Sequence, residues 1–162
     1  MSAVTPRAYV IPVPIARVLS LMPASPRQFA FVTGLNLLLL RHLPEDVLEA
    51  LEHRRLRIVV RDAGLDFDFE LAQNRFAALS GHAKPDLCIT ANAYDFLLLT
   101  QKKVDPDTLF FSQRLTMEGD TELGVLVKNT LDAIELPILD AAMLSPSVLL
   151  ARLRDTFKMH RS

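Results

Sequence analysis

The sequence predicts an α+β domain, a five-stranded, mainly antiparallel sheet with helices packed on one face. Three observations carry this. Leu65, Phe67, Phe69 and Leu71 alternate with Asp66, Asp68 and Glu70, the period of a strand with one buried face. Leu123, Leu126, Val127, Leu131 and Ile134 recur at helical spacing after a Gly119-Asp120 turn and cap. Half of the 162 residues are hydrophobic and the mean hydropathy is +0.23, more apolar matter than a small surface can carry.

The elements follow in order. Four of the ten prolines fall at Pro6, Pro12, Pro14 and Pro23, so residues 1–24 read as a Pro-rich arm, with room for a short helix from Ile15 to Leu21. Residues 25–162 read as the domain proper. Ser25-Pro26-Arg27-Gln28 is a helix start, with a capping serine, proline in the first turn and a capping-box glutamine. That helix should run over 26–43. Its apolar residues leave only a narrow polar strip at Thr33 and Asn36, so it is either fully buried or covered by something besides its own domain. A second helix is expected from Pro44 to His53, acidic at its start and basic at its end.

Strands are expected at Leu56–Arg61, Leu65–Leu71, Arg75–Ser80 and Asp86–Ala91, with turns at Ala63-Gly64 and Gln73-Asn74. Their order reads as an antiparallel meander with one greasy face. Asn92 and Asp95 resemble a cap for a helix ending near Lys102-Lys103. Asp105-Pro106-Asp107 reads as a turn, Arg114–Glu118 as the fifth strand, and Asp120 to Leu136 as an amphipathic helix stopped by Pro137. Ser145-Pro146 opens a last helix, with Leu149, Leu150, Leu153 and Phe157 on one side and Arg152, Arg154, Lys158 and Arg161 on the other; packing on the domain is its expected role, with an interfacial membrane helix as the alternative.

Residues able to do chemistry are scarce. His42, His53, His82 and His160 show no HExxH or i, i+4 pairing. Cys88 is the single cysteine, on a strand with no base nearby in sequence; it argues for a reducing, intracellular setting and a packing role. Asp66, Asp68 and Glu70 share one strand face opposite the core, and Glu118, Asp120 and Glu122 lack the calcium-loop pattern. No G-x-S-x-G, P-loop or G-x-G-x-x-G is present, so catalysis and phosphate binding have no support, and no cofactor or metal is expected. A net charge of −1 gives no case for nucleic acid. No apolar run approaches the ~20 residues that span a bilayer, and with no secretory signal in view the expected location is cytoplasmic. What remains is surplus apolar surface between sheet and helices. If that space is incompletely filled, it would take an apolar ligand, at about 0.8 kcal/mol per buried CH₂.

The stretch SQRLTMEGDTELGVLVKNTLDAI, Ser112–Ile134, resembles the strand–turn–helix signature of the sterol carrier protein 2 (SCP2) domain. Extended upstream to DPDTLFF at Asp105–Phe111, it is similar to one bacterial branch of that family, accessory factors of oxygen-independent ubiquinone biosynthesis. The resemblance implies an α/β sandwich and a protein with no catalytic activity of its own. Such a protein holds the polyprenyl tail of ubiquinone precursors, or phospholipid, beneath the sheet. It implies work beside the paired iron–sulfur proteins UbiU and UbiV and other ubiquinone-pathway proteins, with peripheral contact at the inner membrane. The expected lipid-binding residues are Phe29, Leu35, Leu38, Leu39, Phe67, Phe69, Phe96, Phe110, Phe111, Met117, Leu123, Leu126, Val127 and Leu131. The rival readings are a protein–protein adaptor that buries helix 26–43 on a partner or a second copy without lipid, and an enzyme using Cys88 or a histidine.

Overall fold

The computed structural model describes residues 24–81 and 83–134. The N-terminal arm, the helix expected after Ser145, His82 and His160 lie outside the described residues. The elements are α1 (Ala24–Leu38), a 3-10 turn (Leu40–His42), α2 (Glu45–Leu51), β1 (Arg55–Val60), β2 (Leu65–Ala72), β3 (Arg75–Ala78), β4 (Leu87–Ala91), α3 (Ala93–Thr100), α4 (Pro106–Phe111), β5 (Leu115–Gly119) and α5 (Thr121–Ala133).

The strands form one sheet in the order β3-β2-β1-β4-β5. β1–β2, β2–β3 and β4–β5 are antiparallel, whereas β4 lies parallel to β1. The sheet is therefore mainly antiparallel, as expected, but it is not a meander: β4 joins the far side of β1, and the chain crosses from β3 to reach it. Register places Leu56, Ile58, Phe67, Phe69, Leu71, Phe76, Leu87, Ile89, Ala91, Leu115 and Met117 on one face. Most of these residues form the hydrophobic core with Val32, Val47, Leu51, Leu99, Leu109 and Leu123 from the helices and loops.

The opposite face carries Arg57, Asp68, Cys88, Thr90, Thr116 and Glu118. Asp68 is only 3% exposed there and is held by Arg57 through two hydrogen bonds, Nε to Oδ1 at 2.7 Å and Nη2 to Oδ2 at 3.0 Å. This short, two-pronged contact raises the Arg57 pKa above the ordinary guanidinium value. Arg57 also donates to the Ala83 carbonyl, and Arg55 to those of Ser80 and Gly81. Two arginines thus hold the β3–β4 crossing to the sheet.

Local chemistry explains where the elements stop. α1 ends at Leu38, short of the expected Leu43, and gives way to the 3-10 turn. Leu43 precedes Pro44, whose ring disfavours a helical residue before it, and Leu43 is extended (φ −79°, ψ 128°). α1 already includes Ser25, so its start precedes the expected cap. α2 begins at Glu45 and ends at Leu51. His53 takes a positive φ of 59°, and its N–H donates to the Leu71 carbonyl. Gln73 and Asn74 both have positive φ, as a two-residue hairpin turn requires.

Asn92 does stand before α3, but its side chain caps nothing; Asp62 Oδ1 instead accepts from the Ala93 N–H at 2.9 Å. Asp95 is buried and paired with Arg114. Asp105-Pro106-Asp107 is not a turn between elements but the cap of α4, with Asp105 accepting from the Thr108 N–H and hydroxyl at 2.8 and 2.7 Å. Those bonds hold the Asp105 carboxyl below the usual aspartate range. Asp120 caps α5 as expected, accepting from the Leu123 N–H at 3.0 Å. α5 stops at Ala133 rather than Leu136: Ile134 is extended (φ −77°, ψ 131°), and Lys102 Nζ donates to the Leu131 and Asp132 carbonyls at that end.

Candidate functional site

The site begins with what the helices leave uncovered on the inner face of the sheet. Central strands of a sheet are ordinarily the most deeply buried. Here Ile58 and Val60 of β1, the central strand, are only half-buried, although Leu56 on the same strand and face is fully buried. Ile58, Ile89 and Met117 form one row across β1, β4 and β5. Above the row stands α5, whose Leu126 and Val127 are half-buried against the core. The β2 side is closed by α1: the Phe31 ring stacks on Phe67 with centroids 4.2 Å apart and tilts against Phe69 at 5.7 Å. Arg27 lies over the outer side of this stack, 6.0 Å from the Phe67 centroid.

Two turns anchor the walls. Gly119 has φ +123°, which ends β5 and turns the chain into α5. Next to it, the Asp120 N–H donates to the Asp86 carbonyl at 2.8 Å, while the Arg55 N–H donates to the Asp86 carboxylate at 2.7 Å. Arg54 bridges the carboxylates of Asp86 and Asp120 at 3.8 and 3.5 Å. The starts of β1, β4 and α5 are thus tied at one point. Within the EGDTELG stretch Asp120 does this structural work, and at Gly124 α5 rests on Leu87.

The expected lipid-binding residues fall into four groups. Phe67, Phe69 and Leu123 are buried in the core. Leu35, Leu39, Phe96, Met117, Leu126 and Val127 are half-buried against it. Leu38 and Leu131 are half-buried on α1 and α5. Phe29, Phe110 and Phe111 are exposed, Phe111 by 80%. Phe110 and Phe111 contact each other edge to face on α4, centroids 5.8 Å apart. Asp107, one turn before Phe111, pairs with Lys128 at 2.5 Å, and Val125, one turn before Lys128 on α5, is also exposed. The two phenylalanines and Val125 are thus exposed apolar residues on the α4–α5 pair.

One feature was not anticipated from the sequence. A groove of about 650 Å³ opens between the Leu40–His42 turn, α2 and α5, lined by His42, Pro44, Asp46, Val47, Leu126, Asn129, Thr130, Ala133 and Ile134. Val47 and Leu126 belong both to this groove and to the hydrophobic core or its margin. The helical spacing of Leu126, Thr130 and Ala133 on one side of α5 could have marked it. Its other wall comes from a segment some eighty residues away and carries no periodic signal of its own.

No catalytic constellation forms among the described residues. His42 and His53 are exposed, and Cys88 lies on the polar sheet face opposite Arg57 on the neighbouring strand, with the Thr90 hydroxyl 3.9 Å from its sulfur. No group of three or more His, Cys, Asp or Glu side chains could hold a metal ion among the described residues. Among them, too, no helix is long and apolar enough to cross a membrane.

Comparison with known proteins agrees with this geometry. The chain is 46% identical over 101 residues to the "ubiquinone biosynthesis accessory factor UbiT" of Escherichia coli strain K12, a match covering 62% of this chain and 58% of that protein. The protein of the same name from Escherichia coli O157:H7 matches to the same extent. The chain thus spans somewhat over half the length of these relatives. Among solved structures, "UbiJ-SCP2 Ubiquinone synthesis protein" superposes with a TM-score of 0.55 at 19% identity, covering 68% of this chain and 97% of that one, a likeness of fold. The model of the SCP-2 sterol transfer family matches residues 35–132. With that match across the sheet, its turns and α5, this chain belongs to the SCP-2 sterol transfer family.

Proposed function

We propose that this chain is a non-catalytic lipid-binding accessory factor of oxygen-independent ubiquinone biosynthesis, one that holds the polyprenyl tail of a quinone precursor between sheet and helices. The observation that carries the reading is the half-buried apolar floor at Ile58, Val60 and Met117 beneath the half-buried wall of Leu126 and Val127. Apolar side chains at the middle of a sheet that their own helices leave partly uncovered offer burial to a ligand. Each isoprene unit placed there is worth a few kcal/mol, at roughly 0.8 kcal/mol per buried CH₂. The 46% identity to UbiT supports the pathway. On this reading the protein presents its ligand to a UbiU–UbiV-type iron–sulfur pair in the cytoplasm, at the inner-membrane surface. Residues 25–162 form the lipid-binding domain, and 1–24 a separate arm.

The test is mass spectrometry of lipids extracted from natively purified protein, run beside Val127→Trp, which fills the space next to the wall. Prenylated ring intermediates are expected with the parent. The variant is expected to keep its melting temperature within a few degrees and to lose the lipid. Unfolding of Val127→Trp would mean that the space is packed core. The adaptor reading has one specific support, Phe29 and Leu37 standing exposed on α1. Parent protein without lipid, eluting as a dimer on a calibrated sizing column with light scattering, would favour it.

The exposed Phe110–Phe111 pair is the surface proposed to meet the bilayer, since aromatic rings favour the interface. Phe110→Ser with Phe111→Ser should lower co-flotation with phospholipid vesicles about tenfold and leave stability within about 0.5 kcal/mol, as for exposed positions generally. Unchanged flotation would exclude this surface.

A further inference from the structure

We infer that Phe31 is the stop that fixes how long a tail the interior accepts, a specificity-determining residue where the floor meets α1; the inference rests on the lipid-holding reading above and adds length selection to it. The sheet register defines the path. Met117 on β5 lies across from Ile89 on β4, Ile89 across from Ile58 on β1, and Ile58 across from Phe67 on β2. The row spans three interstrand spacings, about 14 Å in all. Met117 and Ile58 are half-buried, whereas Phe67 is 7% exposed and the Phe31 ring lies on it. A tail that runs along the row and covers Ile58 therefore meets the Phe31 ring next.

The ring is held against yielding. It stacks on Phe67 with 13° between the planes and tilts against Phe69, which meets Phe76 edge to face with centroids 5.7 Å apart. Turning Phe31 aside would forfeit both of its ring contacts, and such contacts are worth more than the area they bury. Arg27, one turn earlier on α1, also lies over Phe67, so α1 meets that ring at two successive turns. Retreat of the whole helix is opposed as well: Asn36 donates to the Phe76 carbonyl at 2.9 Å and accepts from the Phe76 N–H at 2.8 Å, tying α1 to β3. A tail too long for the row must fold back or leave its last unit in water. Either way the extra CH₂ groups gain nothing, and the longer tail has no advantage over the one that fits.

The experiment is titration calorimetry on the full chain, freed of co-purified lipid, with uncharged isoprenoid alcohols of two to five isoprene units in one neutral detergent. For the parent, each added unit should tighten binding until the tail reaches Phe31, and the next unit should change Kd by less than about twofold. Phe31→Ala should make that same unit worth about tenfold in Kd, the effect of about two further buried CH₂ groups. Ile58→Phe, which sets a ring one strand nearer to Met117, should end the gain about one unit sooner. A packing role alone would weaken every length by one factor and leave the stopping point in place; that result overturns the stop and leaves the lipid reading standing. So does a parent whose affinity rises through all five units. If Phe31→Ala does not fold, Ile58→Phe decides by its own stopping point. Parent protein that binds none of the alcohols overturns the lipid reading, and the stop with it.

Discussion

Gly119→Ala is expected to unfold the protein under conditions where the parent is stable, at a cost of about 3–5 kcal/mol in a urea titration. Two penalties coincide. The backbone at Gly119 has φ +123°, a region that side-chain-bearing residues rarely enter. A Cβ there would lie 2.2 Å from the Asp86 carbonyl oxygen. That oxygen cannot step aside, because the Asp120 N–H donates to it and the Asp86 N–H donates to the Arg55 carbonyl, each at 2.8 Å. Relief would require β4 to part from β5, or α5 to lose its seat. Gly64→Ala is the control: φ is +61° there too, but the space around it is open, so only the conformational penalty of about 1–2 kcal/mol applies. Equal costs at the two glycines would refute the steric argument.

Arg57→Met is expected to cost about 3–5 kcal/mol, far more than an exposed ion pair is worth. Asp68 sits at 3% exposure with its carboxylate gripped by the guanidinium; without that partner it is a buried charge. The same substitution frees the Ala83 carbonyl and loosens one of the two arginines that hold the β3–β4 crossing. One measurement separates the contributions. The double variant Arg57→Met/Asp68→Leu should recover most of the loss, because removing both charges removes the desolvation problem. A double variant no better than the single one would assign the cost to the crossing instead.

The strands were legible because alternation is a local property: Phe67, Phe69 and Leu71 announce their face without reference to any partner. Pairing is not local. Nothing between Leu56 and Ala91 says that β4 will lie parallel to β1, and a meander satisfies the same alternation. Helix α4 was missed because six residues are too few to show a period, although Asp105-Pro106 and Thr108 did contain its cap. The capping of α3 by Asp62 and the Lys102 bonds to the last carbonyls of α5 are contacts across the fold, invisible to a reading of each helix's own ends. For the interior, the apolar residues were legible as a set, but not their division. Phe31, Phe67 and Phe69 close one side as a stack, while Ile58, Val60 and Met117 leave the other part-covered. Phe110 and Phe111 point outward because their short helix is oriented by its cap and by the Asp107–Lys128 pair, which hydrophobicity alone does not reveal.

Asn36, on the narrow polar strip of α1, donates to the Phe76 carbonyl at 2.9 Å and accepts from the Phe76 N–H at 2.8 Å. A single amide thereby occupies the free rim of β3, at the border of the sheet. Swinging α1 outward to admit a tail would break both bonds and bare a strand ready to recruit a second molecule, which is how sheets begin to aggregate. Two backbone groups left without partners would add about 1–3 kcal/mol each if they stayed out of water. The Asn36 amide is thus a guard for the edge of β3 as well as a tie for α1.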